Sequence, residues 1–116
     1  MLRMIHPHIH IDTTLRRLVL SDGLRVILAY PVSIGKPTTP TPLGDFYIVS
    51  RIKHPGGMLG TRWLGLNYDA YGIHGTDRPD SIGQMASNGC IRLYNHHIER
   101  LFDYVPFGTP VIIRGK

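Results

Sequence analysis

Cysteine is almost absent from this sequence, which has a single one, Cys90, in 116 residues. One cysteine excludes a disulfide within the chain, so thiol content does not indicate a redox compartment. The sequence also lacks an apolar run of about 20 residues, the length that a membrane-spanning helix requires. No signal peptide is visible at the N-terminus, because its apolar residues alternate with His, Pro and Asp instead of forming a continuous apolar segment. Composition therefore predicts no membrane span and leaves the compartment open.

Acidic residues are scarce, with eight Asp and Glu against 13 Lys and Arg, and the formal net charge is +5. The basic residues are dispersed along the whole chain, and only Arg16 and Arg17 are adjacent. A nucleic-acid-binding domain typically gathers its basic residues into a patch or stripe. We therefore expect no nucleic-acid partner, but a surface that mildly favours an anionic one.

The length and the 42% apolar content are typical of one globular domain, which we place at residues 1–116. Most segments favour strands, and the predicted class is mainly β, as a β-sandwich or mixed sheets. The predicted strands are 5–11, 15–20, 24–32, 46–52, 62–66, 71–74 and 109–114. One helix in the C-terminal half is predicted over 95–105, with Asn95 as its N-cap. The sequence does not indicate an oligomeric state.

Three histidines, His6, His8 and His10, alternate along one face of the first predicted strand. Side chains along a single strand rarely converge on one tetrahedral metal centre, so we interpret them as a solvated face. A zinc site that combines them with Cys90 and His74 is a further alternative, but no CxxC-type spacing supports it. We predict no metal and no cofactor.

The most informative segment runs from Tyr71 to Asn95, YGIHGTDRPDSIGQMASNGCIRLYN. A lone cysteine with a histidine elsewhere in the chain is a candidate nucleophile and base, here Cys90 and His74. Gly89 removes side-chain bulk beside the nucleophile and permits a tight turn. Backbone N–H groups of Gly89 and Cys90, with Asn88, could then stabilise an oxyanion.

These residues resemble the catalytic segment of the YkuD-type L,D-transpeptidases, the cysteine enzymes that cross-link bacterial peptidoglycan. The shared features are His74-Gly75-Thr76, then Ser87, then Gly89-Cys90-Ile91-Arg92, and finally Asn95. The sequence departs from the family at Asn88, where a second histidine is usual. Two further segments match, GKPTTPTPLGDFYI and VPFGTPVII, so the resemblance covers nearly the whole chain.

The resemblance implies that Cys90 attacks the stem peptide at residue three, releases the terminal D-Ala and forms a thioester. An amine of a second stem then attacks to form a 3→3 cross-link, whereas attack by water would make the protein an L,D-carboxypeptidase. A non-catalytic wall-binding module is a further alternative. The family also implies acylation by carbapenems, peptidoglycan stem peptides as partners, and the periplasm or cell envelope as the location.

The imidazole of His74 needs an acceptor that orients it, and the residues alone nominate Asp77 or Asp80. The family implies the backbone carbonyl of Gly75 instead. We expect the pairing with His74 to lower the pKa of the Cys90 thiol well below its free value.

Five further side chains complete the predicted site. Arg92 would share the face of Cys90 and bind a substrate carboxylate, or else form a structural ion pair. Ser87 and Asn88 would hydrogen-bond the stem peptide. Tyr71 would form a wall of the cleft, and Trp63 would belong either to the core or to the cleft.

Overall fold

The computed structural model describes residues 4–115, and strands dominate it. The strands are β1 (Pro7–Asp12), β2 (Arg17–Asp22), β3 (Arg25–Pro31), β4 (Ile34–Gly35), β5 (Gly44–Lys53), β6 (Arg62–Leu66), β7 (Gly72–His74), β8 (Met85–Ser87), β9 (Ile91–Arg92) and β10 (Pro110–Arg114). A single α-helix, α1 (Asn95–Tyr104), lies between β9 and β10 in this part of the chain. Short 3₁₀ turns occupy Gly57–Leu59 and Pro79–Ser81. The predicted class, mainly β with one helix in the C-terminal half, is confirmed.

Eight of the strands form one mixed sheet in the order β3-β2-β1-β10-β5-β6-β7-β9. The pairs β1–β10 and β7–β9 are parallel, and the other pairs of this sheet are antiparallel. Strands β4 and β8 form a separate two-stranded parallel sheet. The architecture is therefore a mixed sheet that places β7 and β9, the strands of the candidate motif, together at one edge.

The core consists of alternate residues of the strands and of one face of the helix. Ile9 and Ile11 of β1 and Leu18 and Leu20 of β2 are almost fully buried, as the period-two pattern predicts. The buried residues of α1 are Ile98, Leu101 and Phe102. Burial of these apolar side chains supplies the main favourable term in folding, and it fixes the sheet under the helix.

The helix begins differently from the prediction. Tyr94, not Asn95, is the N-cap residue, and no side chain caps the helix there. Asn95 is the first helical residue, and its amide bonds instead to backbone groups outside the helix. The prediction failed because the amide of an asparagine can either cap the helix or bond to backbone groups outside it, and the sequence does not distinguish the two.

The histidine-bearing strand β1 is remote from the edge that carries His74. Strands β10, β5 and β6 lie between β1 and β7, which separates the two by roughly 19 Å at the usual strand spacing. One metal ion therefore cannot be shared by that strand and the candidate motif. Over residues 4–115, no group of three or more His, Cys, Asp or Glu side chains is arranged to hold a metal ion. The same residues include no helix of the length and apolarity needed to cross a membrane.

Candidate active site

The parallel pairing of β7 with β9 brings Cys90 and His74 to one face of the sheet edge. Ile73 is in register with Ile91, and His74 with Arg92. Continuing this register by one residue sets Cys90 beside Gly72. Because side chains alternate between faces along a strand, Cys90, His74 and Arg92 project from the same side.

The imidazole of His74 is buried and held by its neighbour. Its Nδ1 lies 2.5 Å from the carbonyl oxygen of Gly75. A carbonyl oxygen only accepts hydrogen bonds, so Nδ1 carries the proton and Nε2 keeps a free lone pair. The alternative partners Asp77 and Asp80 are exposed residues of the following loop and do not make this bond. His74 therefore has the tautomer that a general base requires.

Asn95 fixes the segment that orients the imidazole. Its Oδ1 accepts hydrogen bonds from the N–H groups of Thr76, at 3.0 Å, and Thr61, at 3.3 Å. Its Nδ2 donates to the carbonyl oxygen of Thr76 at 3.1 Å. These bonds hold the Gly75–Thr76 backbone, and with it the carbonyl that bonds His74. Sequence reasoning missed this role, although Asn95 stood among the residues shared with the family.

The Cys90 side chain is half-buried, and its thiol donates a hydrogen bond to a backbone carbonyl. Sγ lies 3.5 Å from the carbonyl oxygen of Ala70, the acceptor of the thiol proton. Ala70 has a left-handed backbone with φ of 70°, which is uncommon for a residue with a Cβ. In this resting arrangement the thiol proton is directed to Ala70 and not to His74.

Burial controls the protonation of both groups. Burial raises the pKa of the Cys90 thiol, while the backbone N–H of Gly72 and the charge of Arg92 act in the opposite direction. Burial lowers the pKa of His74 to about 4; the bond to Gly75 opposes this shift, and Arg92 adds to it. At neutral pH the pair is therefore a neutral thiol and a neutral imidazole. The expected lowering of the thiol pKa is wrong, because the desolvation of the charged forms exceeds the stabilisation that neighbouring groups supply.

The loop before Cys90 is closed by the hydroxyl of Ser87. This buried Oγ donates to the carbonyl oxygen of Cys90 at 2.6 Å and accepts the N–H of Gly89 at 3.0 Å. The hydroxyl of Ser87 is thus buried and bonded to the backbone of its own loop. The N–H of Gly89 is also engaged and is not a free oxyanion donor. The N–H of Cys90 makes no hydrogen bond within residues 4–115, and Asn88 is exposed beside it.

Two aromatic rings border the pair. Gly89 has φ of 123°, and a Cβ placed there would lie 2.5 Å from Cε1 of Tyr71, so Tyr71 packs directly over the loop that precedes Cys90. The ring of Trp63 is stacked beside His74, with 5.7 Å between ring centroids. A Cβ at Gly72 would lie 2.6 Å from the same indole, so only glycine allows this approach. Trp63 and Tyr71 are half-buried side chains that flank the site.

Arg92 forms no ion pair with an acidic residue among residues 4–115. The ion pair found in residues 4–115 joins Arg114 of β10 to Asp45 of β5, two strands in the middle of the sheet. The guanidinium of Arg92 instead lies 3.4 Å from the hydroxyl of Ser81. The alternative of a structural ion pair is therefore wrong, and the positive charge of Arg92 is available beside Cys90.

The low pKa of His74 predicts a pH dependence of stability. The unfolded imidazole, with a pKa near 6.5, binds a proton between about pH 4 and 6.5 that the folded protein does not bind. The free energy of unfolding should therefore decrease as the pH falls through this range. His74 accounts for about 3 kcal/mol of that decrease. Urea unfolding at pH 7.5 and 4.5 should show a pH effect that is smaller by about this amount in His74→Gln.

The exposed His10 supplies the matched control for that measurement, since His10→Gln removes an imidazole that is not buried. That variant should retain the wild-type difference between the two pH values. An equal pH dependence in wild type and His74→Gln would contradict a buried, neutral imidazole.

Solved structures share this fold. A catalytic domain of the Enterococcus faecium L,D-transpeptidase is 27% identical, with a TM-score of 0.81, and the match covers 97% of this chain and 99% of that one. A structure described as the Ldtfm–avibactam carbamoyl enzyme is 28% identical with a TM-score of 0.85, over 97% of this chain and 50% of the other.

Sequence comparison agrees with the structural match. YkuD of Bacillus subtilis (strain 168) is 46% identical over 106 residues, which are 91% of this chain and 65% of that protein. The chain thus spans less than two thirds of the length of this curated relative. The family model of the L,D-transpeptidase catalytic domain, YkuD, matches residues 6–113. The chain therefore belongs to the YkuD family of L,D-transpeptidase catalytic domains.

Proposed function

We propose that this chain is a cysteine-dependent L,D-transpeptidase that forms 3→3 cross-links between peptidoglycan stem peptides through a thioester on Cys90. The observation that carries the proposal is the common face of Cys90 and His74, with the free lone pair of His74 left by its bond to Gly75. A thiol beside an oriented neutral base is the arrangement that nucleophilic acyl transfer needs.

In the acylation step, Sγ attacks the carbonyl carbon of stem residue three while Nε2 of His74 takes the thiol proton. The N–H of Cys90 donates to the oxyanion of the tetrahedral intermediate. The imidazolium then gives its proton to the departing amine of D-Ala, and a thioester remains. Because both groups begin uncharged, the proton moves during attack and no preformed ion pair is required.

In the second step, the side-chain amine of another stem attacks the thioester carbonyl. His74 takes a proton from this amine and returns it to the departing sulfur, so the amide forms and the thiol is regenerated. Thiol, imidazole and substrate amine account for every bond made and broken. We propose the cell envelope as the location of the protein, because peptidoglycan, the substrate of the proposed reaction, lies there.

Product analysis tests the proposal. The protein is incubated with a purified disaccharide tetrapeptide, and the products are separated and identified by mass spectrometry. A dimer with a 3→3 amide, formed together with free D-Ala, is the expected product. Tripeptide without dimer would replace the transferase with an L,D-carboxypeptidase. Unchanged substrate would contradict the proposed activity.

A further inference from the structure

A polar pocket lies beside the candidate active site. Its volume is about 410 Å³, and four of its lining residues are charged: Asp77, Arg78, Asp80 and Arg92. Ser81 and Gln84 add neutral hydrogen-bonding groups. The 3₁₀ turn Pro79–Ser81 and the segment before β8 form its walls. This pocket therefore presents two positive and two negative side chains to one space.

The four charges do not neutralise one another through ion pairs. The one ion pair found within residues 4–115 joins Arg114 to Asp45, and neither residue lines the pocket. Arg92 reaches only the hydroxyl of Ser81, at 3.4 Å. Guanidinium and carboxylate groups that line one pocket without pairing are free to bind a ligand that carries both charges.

Arg92 connects this pocket to the nucleophile. It follows Cys90 by two residues, which is roughly 7 Å along an extended chain, and it projects from the same face. Its positive charge also acts on both Cys90 and His74. A substrate residue whose carbonyl carbon lies at Sγ would thus have its side chain within reach of the pocket.

We propose that this pocket binds the end of the donor's third-residue side chain when that end carries both an ammonium and a carboxylate. Arg92 and Arg78 bind the carboxylate, and Asp77 and Asp80 bind the ammonium. The inference rests on the proposed function and adds a specificity to it. Donors whose side-chain carboxylate is free are favoured over donors in which it is a primary amide.

The test compares two donor tetrapeptides that differ only at this group, one with the free carboxylate and one with the amide. The measured quantity is kcat/KM for release of D-Ala. In the wild type we expect about a tenfold preference for the free carboxylate, the effect of one charge-assisted contact in a partly exposed pocket. Arg78→Gln should reduce this preference to about threefold, and Arg78→Gln with Arg92→Gln should abolish it.

Arg100→Gln is the matched control, because Arg100 is an exposed arginine of α1 outside the pocket. It loses the same charge and should retain the tenfold preference. Equal kcat/KM values for the two donors in the wild type would overturn the inference, as would a double variant that keeps the full preference. In both cases D-Ala is still released, so the proposed function stands; release from neither donor contradicts that function itself.

Discussion

Cys90→Ala is expected to abolish both the release of D-Ala and the formation of cross-links. The sulfur forms the covalent bond to the substrate in the proposed mechanism, and no other cysteine exists in the sequence to replace it. Removal of a covalent nucleophile typically lowers turnover by several orders of magnitude, and we expect at least about a 10³-fold loss. The measurement is D-Ala release from a tetrapeptide donor, followed over time with variant and wild type at equal concentration.

Stability is the control for this variant. Cys90 is half-buried and its side chain is small, so Cys90→Ala should unfold within a few degrees of the wild type. Loss of activity in a folded variant then reports on chemistry. A folded Cys90→Ala protein that retains a tenth or more of the wild-type rate would exclude Cys90 as the nucleophile.

His74→Ala is expected to lower kcat/KM by about 10²- to 10⁴-fold, the usual contribution of a general base. The thiol of Cys90 is neutral at physiological pH because burial raises its pKa, so the reaction depends on a base that removes its proton. Since the pKa of His74 is about 4, Cys90 and His74 both stay uncharged from about pH 5 to 8. The wild-type rate should therefore change little over this range. Rates of D-Ala release across this range, for wild type and variant, provide the measurement.

An exposed histidine in a nearby loop gives the control for that experiment. His54→Ala removes an imidazole that lies outside the site and should leave the rate unchanged. A His74→Ala rate within a factor of five of the wild type would remove the base assignment. A wild-type rate that falls steeply below pH 6.5 would instead indicate that His74 titrates as an ordinary exposed imidazole.

The fold could be predicted from the sequence where a local pattern determines the structure. Strand β5 contains the whole predicted segment 46–52, because that segment is rich in β-formers, and strand β6 runs from Arg62 to Leu66 as predicted. Strands β4 and β8 were missed, since elements of two and three residues carry no periodicity. The pairing of β7 with β9 is parallel and joins segments separated by a loop, so register was not predictable from either segment alone.

The candidate site could likewise be predicted only in part. The sequence motif predicts Cys90, His74 and Gly75, which are the groups that the proposed mechanism uses. The direction of both pKa shifts could not be predicted, because burial depends on how remote segments such as Trp63 pack over the site. The inward-facing hydroxyl of Ser87 and the contacts of Asn95 likewise depend on the folded backbone.

The most direct test of the account is the mass of the protein during turnover. A tetrapeptide donor is mixed with the protein, the reaction is quenched in acid, and the intact mass and proteolytic peptides are measured. The account predicts an increase equal to the mass of the donor minus the mass of free D-Ala, carried by the peptide that contains Cys90 and lost on treatment with hydroxylamine. Turnover without this adduct, or an adduct on another residue, would contradict it.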